Sequence, residues 1–373
     1  MSYYDEIWIE DVKEVCKIER LKEDNFASKL RVDPLAKEGI QDLLLLSDLN
    51  EFNCLHNILI RYLRKQIYTQ IGSPILISIN PYVFLPNIYN QETLANYRVK
   101  LGQYQKTLKR SIRENEFEPH LFKIAQLSLD QLFETPTKEL RICSMMISGE
   151  SGSGKTESTK ILLKYLAAES KSGLFNTIQH GQTIQQQIFA SNPVLEAFGN
   201  AKTARNDNSS RFGKFMHLYF NPDIKGVSAA KIDNYLLEKS RVVKINKQER
   251  NYHIFYQIIA FQIPELKGLK SPYQYEYLNG GYLSSLRTEK SEFVETDKCL
   301  DNLNFSPNQK RQIYQTIAGL QHLGNVKVEY DSKKSTLRLD DSLRFASYLR
   351  RIQIQKLEDL ICKVITSDGK ERV

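Results

Sequence analysis

Apolar residues recur every three to four positions along several stretches of this chain and gather into short unbroken runs along others, and the two patterns interleave. Residues 39–69, GIQDLLLLSDLNEFNCLHNILIRYLRKQIYT, have helical spacing: Leu55, Leu59, Tyr62 and Leu63 share one face, and two helices are predicted. SPILISINP (73–81) is brief, apolar and closed by Pro81, which predicts a short buried strand. PHLFKIAQLSLDQLF (119–133) returns to the helical period, and RICSMMIS (141–148) predicts a second strand. TESTKILLKYLAAES (156–170) is a strong helix, followed by the polar SKSGLFNTIQHGQT (170–183), a surface loop.

IQQQIFASNPVLEAFGN (184–200) is helical with a break at its proline. KFMHLYF (214–220) and SAAKIDNYLL (228–237) are two strands joined by the turn NPDIKG, and NKQERNYHIFYQIIAF (246–261) is again helical. The ends are more charged: EDVKEVCKIERLKED (10–24) has a helix-like patch before the break VDP, and residues 347–373 are charged and helical. No internal repeat or low-complexity segment interrupts the series. Strands interleaved with long helices predict α/β architecture around a mixed sheet.

Composition narrows the class. Of 373 residues, 41% are hydrophobic and 26% charged, the balance of a globular chain with a sizeable core. The formal charge of +8 suits an acidic surface or a phosphate-rich ligand without choosing between them. No run approaches 18 apolar residues, and MSYYDEIWIED lacks the basic and apolar regions of a signal peptide, so a soluble, cytoplasmic protein without membrane insertion is expected. Cys16, Cys54, Cys143, Cys299 and Cys362 form no CxxC pair, which argues against a zinc site or disulfide framework.

The sharpest chemical signal is GESGSGKTES (149–158), which fits G-x-x-x-x-G-K-[ST] through Gly149, Gly154, Lys155 and Thr156. Glycines let backbone N–H groups wrap an anion, and the following helix directs its N-terminus at phosphate oxygens. Lys155 would reach the β- and γ-phosphates and the Thr156 hydroxyl would ligate Mg²⁺. A flexible Gly/Ser turn with a solvated lysine is the bland alternative, and the strand–loop–helix context weighs against it. A second cluster, NDNSSRFGK (206–214), packs amides, hydroxyls and cations into one loop ahead of a strand, groups that suit Mg²⁺, phosphate or a carboxylate.

Together, GESGSGKTES and NDNSSRFGKF resemble the P-loop and switch I of the myosin motor domain. NPYVFLPNIY (80–89) is similar to its purine-binding loop, and LEAFGNAKTARNDNSSRFGKF, YLLEKSRVV and ERNYHIFYQI resemble the stretches around switch I. The resemblance runs from about Gly39 to the C-terminus, so residues 1–38 are expected to be a charged extension and 39–373 the N-terminal part of a motor head. It implies a P-loop NTPase fold with a mixed, mostly parallel central sheet flanked by helices, and an actin-activated Mg-ATPase that moves on actin filaments. Localisation would be cytoskeletal; light chains or calmodulin would bind only where a neck exists, and no nucleic acid is implied.

Carried over by position, the resemblance puts Asn80, Tyr89 and Glu157 near the adenine. Gly149, Glu150, Ser151, Gly152, Ser153, Gly154, Lys155 and Thr156 would hold the triphosphate of ATP, with Ser151 facing the γ-phosphate. Thr156 and Ser210 would be the protein ligands of Mg²⁺. Asn206 and Ser209 would contact the γ-phosphate or attacking water, Ser209 also relaying its proton, and Arg211 would form a gate salt bridge with a switch II glutamate.

Ser153 stands where the family usually has alanine and Asp207 where asparagine is common. No D-x-x-G-F-E stretch of the switch II type occurs in the 373 residues; it is expected beyond residue 373, which leaves Arg211 without a visible partner and makes a nucleotide-binding but non-hydrolysing fragment or scaffold the alternative. A kinesin-like motor fits less well because Ser210-Arg211 continues as Phe212-Gly213-Lys214 rather than with a serine-histidine pair, and a generic P-loop GTPase lacks the NDNSSRFGK element.

Overall fold

The computed structural model describes residues 6–11, 15–20, 31–104, 117–133, 141–169, 178–179, 182–221, 226–263, 266, 268–278, 286–331, 334–362, 364–365 and 371–372. The chain forms two units, Met1–Lys171 and Ser172–Val373.

In the first unit, β1 (Glu6–Asp11) and β2 (Val15–Arg20) pair antiparallel, with Trp8 opposite Ile18. Of the helix-like patch at 10–24, the described residues 10–11 and 15–20 are strand instead; the β-branched and aromatic run Ile7–Ile9 outweighs the weak helical spacing after it. Helix α1 (Pro34–Glu38) starts on the Asp33 carboxylate, which accepts from Leu35 N–H, and ends at Gly39 with φ 71°. Helix α2 (Glu51–Leu63) follows, capped by Asn50 accepting from Asn53 N–H. The second helix predicted in this stretch is only the short 3-10 turn Leu43–Leu45.

The face that α2 turns inward is polar. Asn53, Asn57 and Arg61, spaced four apart, are buried, while Leu55, Leu59 and Leu63 are 47, 47 and 68% exposed. The Asn57 amide closes a two-way bond with the Ile40 backbone, and Asn53 donates to Arg31 O and Asp48 O while accepting from Asp33 N–H. These contacts fasten the otherwise irregular chain at 31–48, whose backbone groups need partners.

β3 (Tyr68–Ile71) and β4 (Ile75–Ser78) form a hairpin, so the strand in SPILISINP exists; it is not fully buried, Ile75 being exposed. Helices α3 (Gln91–Tyr104) and α4 (Leu121–Phe133) precede α5 (Lys155–Glu169), on which α4 packs through stacked Phe122 and Tyr165 rings 5.1 Å apart. The predicted strand RICSMMIS is absent: residues 141–150 carry no strand, and Ile142 and Met146 are 77 and 93% exposed.

The second unit opens with β5 (Ile178–Gln179), β6 (Gln182–Thr183) and α6 (Ile184–Gly199). The surface loop expected at 170–183 lies largely outside the described residues. Helix α6 runs on through Pro193 instead of breaking there, and Ser191 Oγ donates to the Ile188 carbonyl in the preceding turn. β7 (Asn200–Ala201) pairs with β8 (Ser209–Ser210), and β9 (Gly213–Asn221) pairs antiparallel with β10 (Gly226–Tyr235). The hairpin is as predicted; most of its NPDIKG turn lies outside the described residues. Helices α7 (His253–Phe261), α8 (Leu286–Asn302), α9 (Pro307–Gly324), α10 (Asp341–Arg350) and α11 (Ile354–Cys362) complete the unit with the hairpins β11 (Val328–Asp331)–β12 (Lys334–Leu337) and β13 (Val364–Ile365)–β14 (Glu371–Arg372).

Its core gathers Ile254, Phe255 and Ile258 of α7, Leu300 of α8, Tyr314 and Ala318 of α9 and Leu349 of α10. Among the described residues every sheet is two-stranded and antiparallel, so the mostly parallel central sheet is not among them. Parallel neighbours must come from distant chain segments, and an apolar run such as 141–148 carries no ladder of its own.

Candidate nucleotide site

Residues 149–154 leave no strand but enter α5 directly, and the loop takes its shape from glycine. Gly152 and Gly154 have φ of 84° and 90°, conformations that side chains resist. The loop's carbonyls are drawn to donors of the protein. Lys155 Nζ donates to Gly149 O and Glu150 O, both at 2.7 Å, Ser153 N–H donates to Glu150 O at 3.2 Å, and Asn80 Nδ2 donates to Gly152 O at 2.7 Å. Carbonyl oxygens tied back in this way are withheld from an incoming anion, while the first turn of α5 keeps its unpaired N–H groups and positive dipole end. Thr156 is half-buried, and among the described residues its hydroxyl has no hydrogen-bond partner, which suits a hard-cation ligand. Glu157 is exposed and pairs with Lys160 at 2.7 Å.

The 80–89 segment lies against this loop. Asn80 Oδ1 accepts from Tyr82 N–H at 2.9 Å, closing a local turn, so one amide joins its own loop to the glycine-rich loop at 149–154. Lys164 of α5 donates to Tyr89 O, and the Tyr89 hydroxyl meets that of Tyr68 at 2.6 Å. Burial raises both tyrosine pKa values, keeping the pair neutral at physiological pH.

His120 sits behind this segment. Its Nδ1 accepts from Phe122 N–H, so Nε2 carries the proton that bonds Ile88 O at 3.0 Å. Burial pushes this imidazole down to about 4, and His253 and His322 of the second unit are likewise held at about 4 by burial. The unfolded chain takes up these protons from pH 6.5 downward, whereas the folded chain waits until about 4; the unfolded state binds more protons between those values and stability falls as pH falls. Each imidazole is expected to remove about 2 kcal/mol between pH 7 and 5. Urea unfolding of His120→Gln at both pH values checks this: the variant should lose less stability on acidification than the unmodified chain, and equal losses would refute it.

The second cluster belongs to the second unit and is described within it. Between β7 and β8 the chain makes a tight turn in which Thr203 N–H donates to Asn206 O and Asn206 Oδ1 accepts from Asn208 N–H. Asn208 is moored outward: its Oδ1 accepts from Asn200 Nδ2 at 2.9 Å and meets His253 Nε2 at 3.1 Å, and its Nδ2 donates to Glu196. Lys202 pairs with Asp207. Ser209 is buried, while Ser210 is exposed with no hydroxyl partner among the described residues.

Arg211 does have a partner. Its Nε donates to Glu238 Oε2 at 2.7 Å, and Glu238 N–H returns a bond to Arg211 O at 2.9 Å. The same oxygen accepts from Arg241 Nε at 2.6 Å, and Arg241 continues to Glu249. Burial would raise the Glu238 carboxyl, but the hydrogen bonds from Arg211 and Arg241 outweigh it and hold it below the usual carboxylate range.

With these features in place, comparison with known proteins decides the family. Residues 40–373 match the Myosin head (motor domain) family. The chain belongs to the myosin head family. It is 38% identical over 346 residues to Myosin-5 of Arabidopsis thaliana, covering 89% of this chain and 21% of that protein. Myosin-11 of the same organism is 37% identical over 342 residues, with the same coverage, and Myosin-16 is 37% identical over 335 residues, covering 87% of this chain and 25% of that protein. The chain thus spans about a fifth to a quarter of the length of these myosins. Membership implies a P-loop NTPase-type fold and an ATPase-type motor family, ATP-binding and linked to the cytoskeleton. No helix among the described residues is long and apolar enough to cross a membrane.

The first unit therefore brings Asn80 and residues 149–156 of this myosin head together, and the second carries Asn206 in the turn between β7 and β8, Ser209 and Ser210 on β8 and Arg211 directly after it. Sequence reasoning missed Glu238, Asn208, His253 and Lys164. YLLEKSRVV displayed Glu238 as a charge beside apolar residues, a hint of pairing that named no partner.

Proposed function

We propose that the chain is the nucleotide-binding part of an actin-based motor that binds MgATP and couples its hydrolysis to movement on actin filaments. The observation that carries this reading is the phosphate loop: two glycines in left-handed backbone, carbonyls tied back by Lys155 and Asn80, and a helix N-terminus behind them. We assign the triphosphate to 149–156, the adenine to the side of Asn80, Tyr89 and Glu157, and the γ-phosphate and attacking water to Asn206 and Ser209. Thr156 and Ser210, whose hydroxyls are uncommitted among the described residues, would hold Mg²⁺, which when bound neutralises charge on the β- and γ-phosphates. Phosphoryl transfer asks little covalent chemistry of the protein, so these residues act by positioning and charge stabilisation. A mostly parallel central sheet, residues 1–38 as an extension, actin as partner and a cytoskeletal location in the cytoplasm belong to the same reading.

Equilibrium titration of the 373-residue chain with a fluorescent ATP analogue tests it: binding that requires Mg²⁺ and is displaced by ATP is expected, and its absence would refute the reading. A second reading, binding without turnover, is favoured by one observation. Arg211, the residue assigned to the gate, is already held by Glu238. Single-turnover measurements on this chain are expected to give weak ATP binding and negligible hydrolysis; a rate like that of an intact motor would rule the second reading out.

A further inference from the structure

Asn80 is assigned to the adenine by its position in the 80–89 segment, yet its side chain bonds elsewhere. Its Nδ2 donates to Gly152 O at 2.7 Å, across 72 residues of sequence, and its Oδ1 accepts from Tyr82 N–H at 2.9 Å. Both ends of the amide are engaged, which fixes its orientation: the oxygen faces its own loop and the nitrogen faces the phosphate loop. The contact is close along the backbone too, since a Cβ at Gly154 would lie 3.9 Å from Asn80 Cβ.

The bond falls on a sensitive peptide. The plane joining Gly152 to Ser153 has its carbonyl held by Asn80 and its N–H held by Glu150 O at 3.2 Å. Gly152 at φ 84° has no side chain to restrict it, so without Asn80 only the longer N–H bond to Glu150 O opposes a rotation of this plane that would turn its oxygen toward an incoming anion. Lys155 ties back the carbonyls of 149 and 150 but reaches no further along the loop, and the described residues offer Gly152 O no other donor.

We infer that Asn80 is a positioning residue of the phosphate loop: it holds the Gly152 carbonyl away from the anion and so sets triphosphate affinity independently of the base. The inference rests on the proposed nucleotide reading and adds to it a role that adenine contact would not give. The two roles separate when the ligand has no base.

The experiment compares ATP with inorganic tripolyphosphate, each with Mg²⁺, on the unmodified 373-residue chain and on Asn80→Ala. Loss of one hydrogen bond to a partly buried carbonyl is expected to weaken both ligands by the same factor, roughly fivefold to tenfold. Asn80→Ser, whose hydroxyl still accepts from Tyr82 N–H but does not reach Gly152, is expected to match Asn80→Ala, which separates the brace from the folding of the 80–85 turn. Amide hydrogen exchange supplies a local readout: it should rise over 149–154 in both variants and stay unchanged over 121–133, with the thermal midpoint preserved. A loss confined to ATP with tripolyphosphate binding intact would overturn the brace in favour of base contact, and unchanged binding of both ligands would overturn it outright. If the unmodified chain binds neither ligand, the nucleotide reading itself fails and the brace has no ligand to serve; binding by the unmodified chain with equal losses in the variants supports both.

Discussion

Lys155→Ala is expected to lower MgATP affinity by at least about a hundredfold, measured by titration with a fluorescent ATP analogue. Two losses combine. The ammonium that would meet the β- and γ-phosphates is gone, and a charge-assisted hydrogen bond in a partly enclosed site contributes about 1.5–3 kcal/mol. The loop also loses its internal tie, because Nζ donates to both Gly149 O and Glu150 O at 2.7 Å. Without that tie two carbonyl dipoles are free to face the anion they now avoid. Lys155→Arg should not restore affinity, since a planar fork cannot converge on two adjacent carbonyls as a compact ammonium does. Thermal stability should barely change, the loop being at the surface, and ATP affinity within a few-fold of the unmodified chain would refute the assignment of the phosphate loop.

What the sequence disclosed about this site follows from how local each feature is. The glycine-rich loop proposed to hold phosphate was legible because it lies within eight consecutive residues, and left-handed backbone at 152 and 154 calls for glycine there. The hairpin 213–235 was legible for the same reason, both strands and their turn being adjacent. RICSMMIS was not, because a strand is a property of a pair and the apolar run says nothing about its neighbour. The Arg211–Glu238 pair spans 27 residues, and no spacing rule links those positions. Helix α8, LRTEKSEFVETDKCLDN, buries Phe293, Leu300 and Cys299 within a charged sequence whose apolar residues are too few to announce a core helix.

Helix α2 shows the subtler limit, and Arg61 tests it. Periodicity revealed a leucine face without giving its direction; the structure turns it outward and buries the row Asn53, Asn57, Arg61. Burying an arginine is costly unless every donor is satisfied. Arg61 comes close to that condition, with four of its five N–H donors bonded: Nε and Nη2 donate to Tyr68 O at 3.1 and 2.9 Å, Nη1 donates to Gly39 O at 3.1 Å, and Nη2 pairs with Glu118 at 2.9 Å. One side chain thereby fixes the start of β3 and the end of α1 to the same helix. Arg61→Met fills much of the volume but leaves two carbonyls without donors, and it is expected to destabilise the chain by about 3–5 kcal/mol in urea unfolding. Arg61→Lys should recover only a small part, because one ammonium cannot serve three directions. Leu59→Gln on the outer face should cost less than about 0.5 kcal/mol. The comparison carries the decision: were Leu59→Gln the more damaging substitution, α2 would have to sit with its leucines inward and the polar row would lose its role in holding residues 31–48.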